Sequence, residues 1–150
     1  MLEFIPFEPG HLASLRLQAA QAYLQALIAR PEYGAAMAGP HSWTGVSEGR
    51  LVGSAGILEQ WPGRALCWAL LGRDIRTRDF LRVHHKVTAV LQRVHREGTR
   101  RVETSVDAAF DAGHRWVRAL GFAPEGLMRC YSPDGRDHVL YAHLCERGSA

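Results

Sequence analysis

At 150 residues, with 47% apolar and 22% charged side chains, the chain has the proportions of one globular domain spanning residues 1–150 and not those of a disordered protein. No run reaches the eighteen apolar residues of a membrane span, and the opening "MLEFIPFEPGH" carries acids where a secretory leader carries bases, so a cytoplasmic protein without membrane association is expected. The net charge of +3 excludes little, but Lys86 is the sole lysine; so many arginines fit phosphate recognition, though a GC-rich coding sequence is the favoured explanation.

Leu2 to Phe7 alternates weakly and reads as a first strand. From about Pro9 to Ala29, Leu12, Leu15, Ala19, Ala22, Tyr23, Ala26 and Leu27 keep helical spacing, and Pro31 ends that helix. "RPEYGAAMAGPHSW" reads mostly as loop, with room for one helical turn. Three strands follow, at Trp43 to Ser47, Leu51 to Gln60 and Ala65 to Leu71. "SEGR" turns between the first two, with Gly49 available for positive φ. The run "ALCWALL" barely alternates, as in a strand covered on both faces.

Thr77 to about Glu97 is the longest helix, with Thr77 as N-cap, Gly98 as the residue after its end, and Phe80, Val83, Val87, Val90, Leu91 and Val94 as its buried stripe. A strand over Arg100 to Val106 and a helix over Ala108 to Leu120 come next. In "HRWVRALGFAPEG", Trp116, Val117 and Leu120 share one helical face and Gly121 ends the helix. "APEGLMRCYSPDGRDHVLYAHLC" reads as a closing hairpin with "PDG" at its turn. The long helix joins two strands as a βαβ crossover, expected to be right-handed with those strands parallel. The flanking hairpins make the sheet mixed. The fold class is therefore α/β, or α+β with a mixed sheet flanked by helices.

That order, with a helix ending in "LGF" before a closing hairpin, resembles the GCN5-related N-acetyltransferase (GNAT) superfamily. The segments "ALCWALLGRDIRTRDFLRVHHKV" and "RVETSVDAAFDAGHRWVRALGFAPEG" are most similar to the acetyltransferase-like proteins encoded among the virion genes of T7-like and other tailed bacteriophages. The resemblance implies an acetyl-CoA site between splayed parallel strands, here Ala65–Leu71 and Arg100–Val106. It implies that backbone groups of Ala69, Leu70 and Leu71 pair with the pantetheine arm and polarise the thioester carbonyl. Pyrophosphate would then lie at Arg76, Thr77 and Arg78, against the first amides of the long helix.

The pattern departs from the superfamily in two places. The phosphate loop is glycine-rich there, but no glycine follows Gly72 before Gly98, and Asp74 and Asp79 add negative charge. Arg76, Arg78 and Arg82 could supply side-chain contacts instead, or form a solvated face with Asp79 complementing the helix dipole. The tyrosine that protonates the leaving thiolate in many family enzymes falls at Val117, and an asparagine common at the head of that helix falls at Phe110. Glu59, Glu103 and Asp107 are the candidate general bases, and no catalytic residue is assigned among them.

Cys67, Cys130 and Cys145 share no close spacing and read as reduced thiols. His84 and His85 diverge on a helix, His95 is remote from both, and His138 and His143 fall on opposite faces of a strand, so no metal site is expected. Arg78, Arg82, Lys86 and Arg93 trace a basic edge with Arg96 nearby; nothing interleaves aromatic rings with it, which weighs against nucleic acid. Trp68 and Trp116 are expected in the core, and Trp61 at a turn as an interface residue or a lid. Two functions remain. One is an N-acetyltransferase taking acetyl-CoA as co-substrate and a small-molecule or protein amine as acceptor, in the host cytoplasm if phage-encoded. The other is an inactive GNAT-fold structural or assembly component of a bacteriophage virion, acting by self-association or with phage structural proteins.

Overall fold

A computed structural model describes residues 1–146. Seven strands, β1 (Glu3–Pro6), β2 (Ser42–Ser47), β3 (Arg50–Trp61), β4 (Arg64–Leu71), β5 (Arg101–Asp107), β6 (Ala123–Met128) and β7 (His138–Leu144), form a mixed sheet in the order β1-β2-β3-β4-β5-β7-β6. The helices are α1 (Gly10–Ala13), α2 (Gln25–Ile28), α3 (Pro31–Met37), α4 (Thr77–Arg96) and α5 (Asp111–Ala119), with a 3₁₀ segment over Ala19–Leu24. Contacts divide the chain into two compact units: Met1–Leu58 with Cys67–Val87, and Glu59–Leu66 with the chain from Thr88 onward.

In the first unit β1, β2 and β3 form an antiparallel meander, Glu3 opposite Val46 and Ser42 opposite Gly56. Glu48 and Gly49 both have positive φ, 51° and 75°, the two-residue turn whose twist matches a hairpin. The core gathers Phe7, Leu12, Leu15, Leu17, Ile28 and Leu70, all buried. Trp68 packs on this cluster from a half-buried position, edge-to-face with Phe7 at 5.2 Å.

The expected helix over Pro9–Ala29 is broken. Helix α1 stops at Ser14, Gln18 is extended (φ −58°, ψ 156°), and helical turns resume only at Ala19. The cause is tertiary pairing. Gln25 Nε2 donates to the Leu15 carbonyl at 2.9 Å, and the Leu17 amide donates to Gln25 Oε1 at 3.1 Å. These side-chain bonds replace the i→i−4 ladder that the apolar spacing suggested. The stretch expected to be mostly loop forms α3, with Pro31 opening it as its first helical residue.

In the second unit β4 pairs with β5 in parallel over Arg64–Leu66 and Arg101–Glu103, as a βαβ crossover requires. Strand β7 lies antiparallel between β5 and β6. Val102, Leu91 and Tyr141 are fully buried, and Val90, Val94, Val106 and Val117 are buried with them. Across its length α4 buries the anticipated stripe, although Phe80 is only half-buried. Helix α5 buries Gly113 and Val117 and leaves Trp116 half-buried, so Trp116 is a flank of the core and not its centre. Trp61 is 58% exposed, with the Arg64 guanidinium 4.4 Å over its ring.

Candidate functional site

Along a strand, successive residues send their backbone groups to alternate edges. The Gly72 amide donates to the Val52 carbonyl of β3 at 2.8 Å, so Ala69 and Leu71 face the opposite edge of β4. That edge is bonded to the chain's own residues 16–21. Gln21 Nε2 donates to the Ala69 carbonyl at 2.9 Å, and the Leu71 amide donates to Gln21 Oε1 at 3.1 Å. The Gln18 amide donates to the Leu71 carbonyl at 3.0 Å, and the Arg73 amide to the Arg16 carbonyl at 2.9 Å, flanking a bridge of Leu17 with Gly72. Leu70 faces β3 by the same alternation. Three glutamines at 18, 21 and 25 were the available sequence signal, and helical spacing concealed their use.

Past the C-terminal end of β4 lies an open cavity of about 350 Å³, lined by Ser14, Arg16, Arg50, Arg73, Arg76 and Asp79 among others. Four arginines face two aspartates there, Asp74 and Asp79. Arg76 lines the cavity and pairs with Glu48 at 2.9 Å. Arg16 and Arg50, remote in sequence, join it because the end of α1 and the β2–β3 turn meet at the head of β4. Thr77 and Arg78 are exposed. The Phe80 amide donates to the Arg76 carbonyl at 2.9 Å, which makes Arg76 the cap and Thr77 the first helical residue, so the helix begins one position earlier than a Thr77 cap would place it. Asp79 sits in the first turn of α4, where its charge complements the helix dipole, and it is buried, at 2% exposure.

The basic edge of α4 is not continuous in use. Lys86 points its ammonium at the rings of Phe4 and Trp43, 5.6 Å from each, and Arg93 pairs with Glu97 at 3.0 Å. Arg78 and Arg82 are exposed.

Of the candidate bases, Glu103 is the most clearly engaged. Arg64 grips both its oxygens, at 2.9 and 2.6 Å, and Arg101 Nε donates to Oε1 at 2.7 Å. Arg101 in turn reaches Glu125, which a bulge between Pro124 and Gly126 leaves free to turn toward it. The bonds from Arg64 and then Arg101 hold the Glu103 carboxyl at about 2, far too low for a proton acceptor at neutral pH. Asp107 accepts from the Ala109 amide at 2.9 Å and from Arg136 at 3.1 Å, which assigns it to shaping the turn after β5. Glu59 is exposed at the end of β3. Burial pushes the Cys67 thiol on β4 up to about 12, so it is no nucleophile. No cluster of metal-ligating residues occurs among the described residues.

One histidine pair escaped the sequence reading because its members are 48 positions apart. His95 Nε2 lies 2.9 Å from His143 Nδ1, with the rings stacked at 5.0 Å. Burial, and then the neighbouring His95, push the His143 pKa down, and burial lowers that of His138. Both folded values lie below the unfolded one of about 6.5, so the unfolded chain binds protons that the folded chain refuses. Their contribution is complete above about pH 6.5 and is lost as pH falls through the lowered folded values. The melting temperature is expected to fall between pH 7 and 5, with a shallower slope in His143→Gln; an equal slope in both proteins would refute this assignment.

No protein-family model matches the chain, and no curated protein matches it by sequence. Solved structures do match. The ribosomal-protein-S18-alanine N-acetyltransferase of Escherichia coli superposes with a TM-score of 0.72 at 15% identity, covering 97% of this chain and 95% of that one. A GNAT-family acetyltransferase of Bacillus anthracis gives 0.70 at 13% identity, covering 97% and 96%. YncA of Salmonella typhimurium, solved with its cofactor acetyl-CoA, gives 0.69 at 10% identity, covering 100% and 97%. At such low identity the likeness speaks for architecture, and the architecture is that of the GNAT acetyltransferases.

Proposed function

We propose that the protein is an N-acetyltransferase that takes acetyl-CoA as co-substrate and transfers its acetyl group to an amine of a small molecule or protein. The arginine-lined cavity at the head of β4 carries this reading. Arg16, Arg50, Arg73 and Arg76 offer guanidinium forks where the resemblance places a diphosphate, and they substitute for the missing glycine loop. Bound acetyl-CoA would supply the thioester acyl group. The Ala69 and Leu71 backbone groups would hold the arm, and Arg76 would anchor its charged end, with Thr77 and Arg78 at the rim. Neither Glu103 nor Asp107, each held in ion pairs, is suited to take the amine's proton, so solvent or the exposed Glu59 would carry it.

Calorimetric titration with acetyl-CoA, and with desulfo-CoA as control, tests this. Saturable micromolar binding is expected, weakened about tenfold in Arg16→Ala by loss of a charge-assisted contact. A hundredfold excess over Kd should stabilise the fold by about 2.7 kcal/mol. No heat at millimolar ligand would overturn the proposal. It would favour the second reading, a non-catalytic scaffold of a phage particle that works by self-association or with phage structural proteins. That reading draws support from Val117 at the usual tyrosine position and from the closed edge of β4.

A further inference from the structure

We propose that residues Arg16–Gln21 are a displaceable strap over β4, in which the Gln21 carboxamide occupies the place an incoming pantetheine amide would take; this rests on reading β4 as the acyl-carrier strand. A carboxamide is a single donor–acceptor unit, and Gln21 uses it as a strand peptide would. Its nitrogen donates to Ala69 and its oxygen accepts from Leu71, two residues apart on one edge. Gln18 Nε2 donates to the same oxygen at 3.1 Å and so orients the amide. With the two bonds flanking Leu17 and Gly72, every polar backbone group named on that edge from Ala69 to Arg73 has a partner from this strap. A ligand that adds to β4 must remove it.

The strap is built to leave. None of the residues in the 3₁₀ segment Ala19–Leu24 is buried, and 3₁₀ geometry is the weaker helical form. Leu17, at 5% exposure, is the one buried residue of the strap and Ile28, at 1%, anchors the chain beyond it, so the strap hinges at Leu17 while Gln18–Gln21 swing out. Gln21 thus sets a threshold: the arm of the ligand has to outcompete an amide already in place.

The test uses the full chain and Gln21→Met, which keeps side-chain length but removes donor and acceptor. Each is titrated with coenzyme A and with 3′-phosphoadenosine 5′-diphosphate, which keeps both pyrophosphate phosphates and lacks only the arm. The ratio of the two affinities isolates the arm's contribution. That ratio is expected to rise about tenfold in Gln21→Met, the scale of one or two exchanged hydrogen bonds, with nucleotide affinity unchanged. Hydrogen exchange at the Leu71 amide gives a ligand-free readout: faster in Gln21→Met, and slowed again by coenzyme A. An unchanged ratio with intact nucleotide binding would overturn the strap and leave the cavity reading standing. A lower ratio would make Gln21 a ligand to the arm and also overturn it. Binding of neither compound by either protein would sink both proposals together.

Discussion

Gly121→Val is expected to lower stability by about 3 kcal/mol, which for a chain of this size is a fall in melting temperature of roughly 6–12 °C. Helix α5 ends in a paired arrangement: the Phe122 amide donates to the Val117 carbonyl and the Gly121 amide to the Arg118 carbonyl, each at 3.0 Å. That geometry needs Gly121 at φ 100°, where a β-branched residue is strained. A Cβ there would also sit 3.0 Å from His143 Nε2, tighter than ordinary contact. Helix α4 ends in the same way, with Thr99 bonded to Val94, Gly98 to His95 and Gly98 at φ 110°, but nothing lies within 4 Å of a Cβ at Gly98. Gly98→Val therefore isolates the backbone strain and should cost less. Gly126→Val, at a glycine with open space and without positive φ, should stay near wild type. If all three variants melt alike, the helix-end argument fails.

Glu103→Ala should cost about 2 kcal/mol at pH 7, and the loss should depend on pH. The Glu103 side chain is only 12% exposed and bridges Arg64 and Arg101, so its removal strips Arg64 of its carboxylate and leaves Arg101 with Glu125 alone. The carboxyl's depression from 4.5 to about 2 corresponds to about 3 kcal/mol, reduced here because both arginines are partly exposed and screened. The sign follows from linkage: a lowered folded pKa stabilises above the unfolded value of about 4.5 and ceases to do so as pH falls through about 2. Denaturant unfolding at pH 7, 4 and 2 should show wild type converging on the variant as pH drops. A constant gap down to pH 2 would mean that Glu103 acts through packing and not through charge.

The two cases differ in how much of them is visible along the chain. A helix end is local: Gly121 and Gly98 follow amphipathic runs, and both positions could be read without a fold. The same holds for the turn at Gly49, the buried stripe of α4 and the alternation of the strands, because each depends on neighbours within a few residues. Along the chain Glu103 reads only as one of three candidate bases. Arg64, which joins it from 39 positions away, only meets it once β4 and β5 pair.

Periodicity thus determined the order of elements, the parallel crossover and the mixed sheet, since an apolar stripe can be buried only against a partner of matching period. It misread residues 9–29, where helical spacing and the observed broken path put Leu12 and Leu15 equally well in the core. What decided between them was side-chain hydrogen bonding to the backbone: Gln25 folding back 8 and 10 positions on Leu17 and Leu15, and Gln21 reaching across 48 and 50 positions to β4. A carboxamide can satisfy backbone groups wherever the fold delivers it, so its role is not written in its neighbours. The arginines of the cavity obey the same logic. Their abundance was plain in the composition, but only the tertiary structure gathered Arg16, Arg50, Arg73 and Arg76 at one end of one strand.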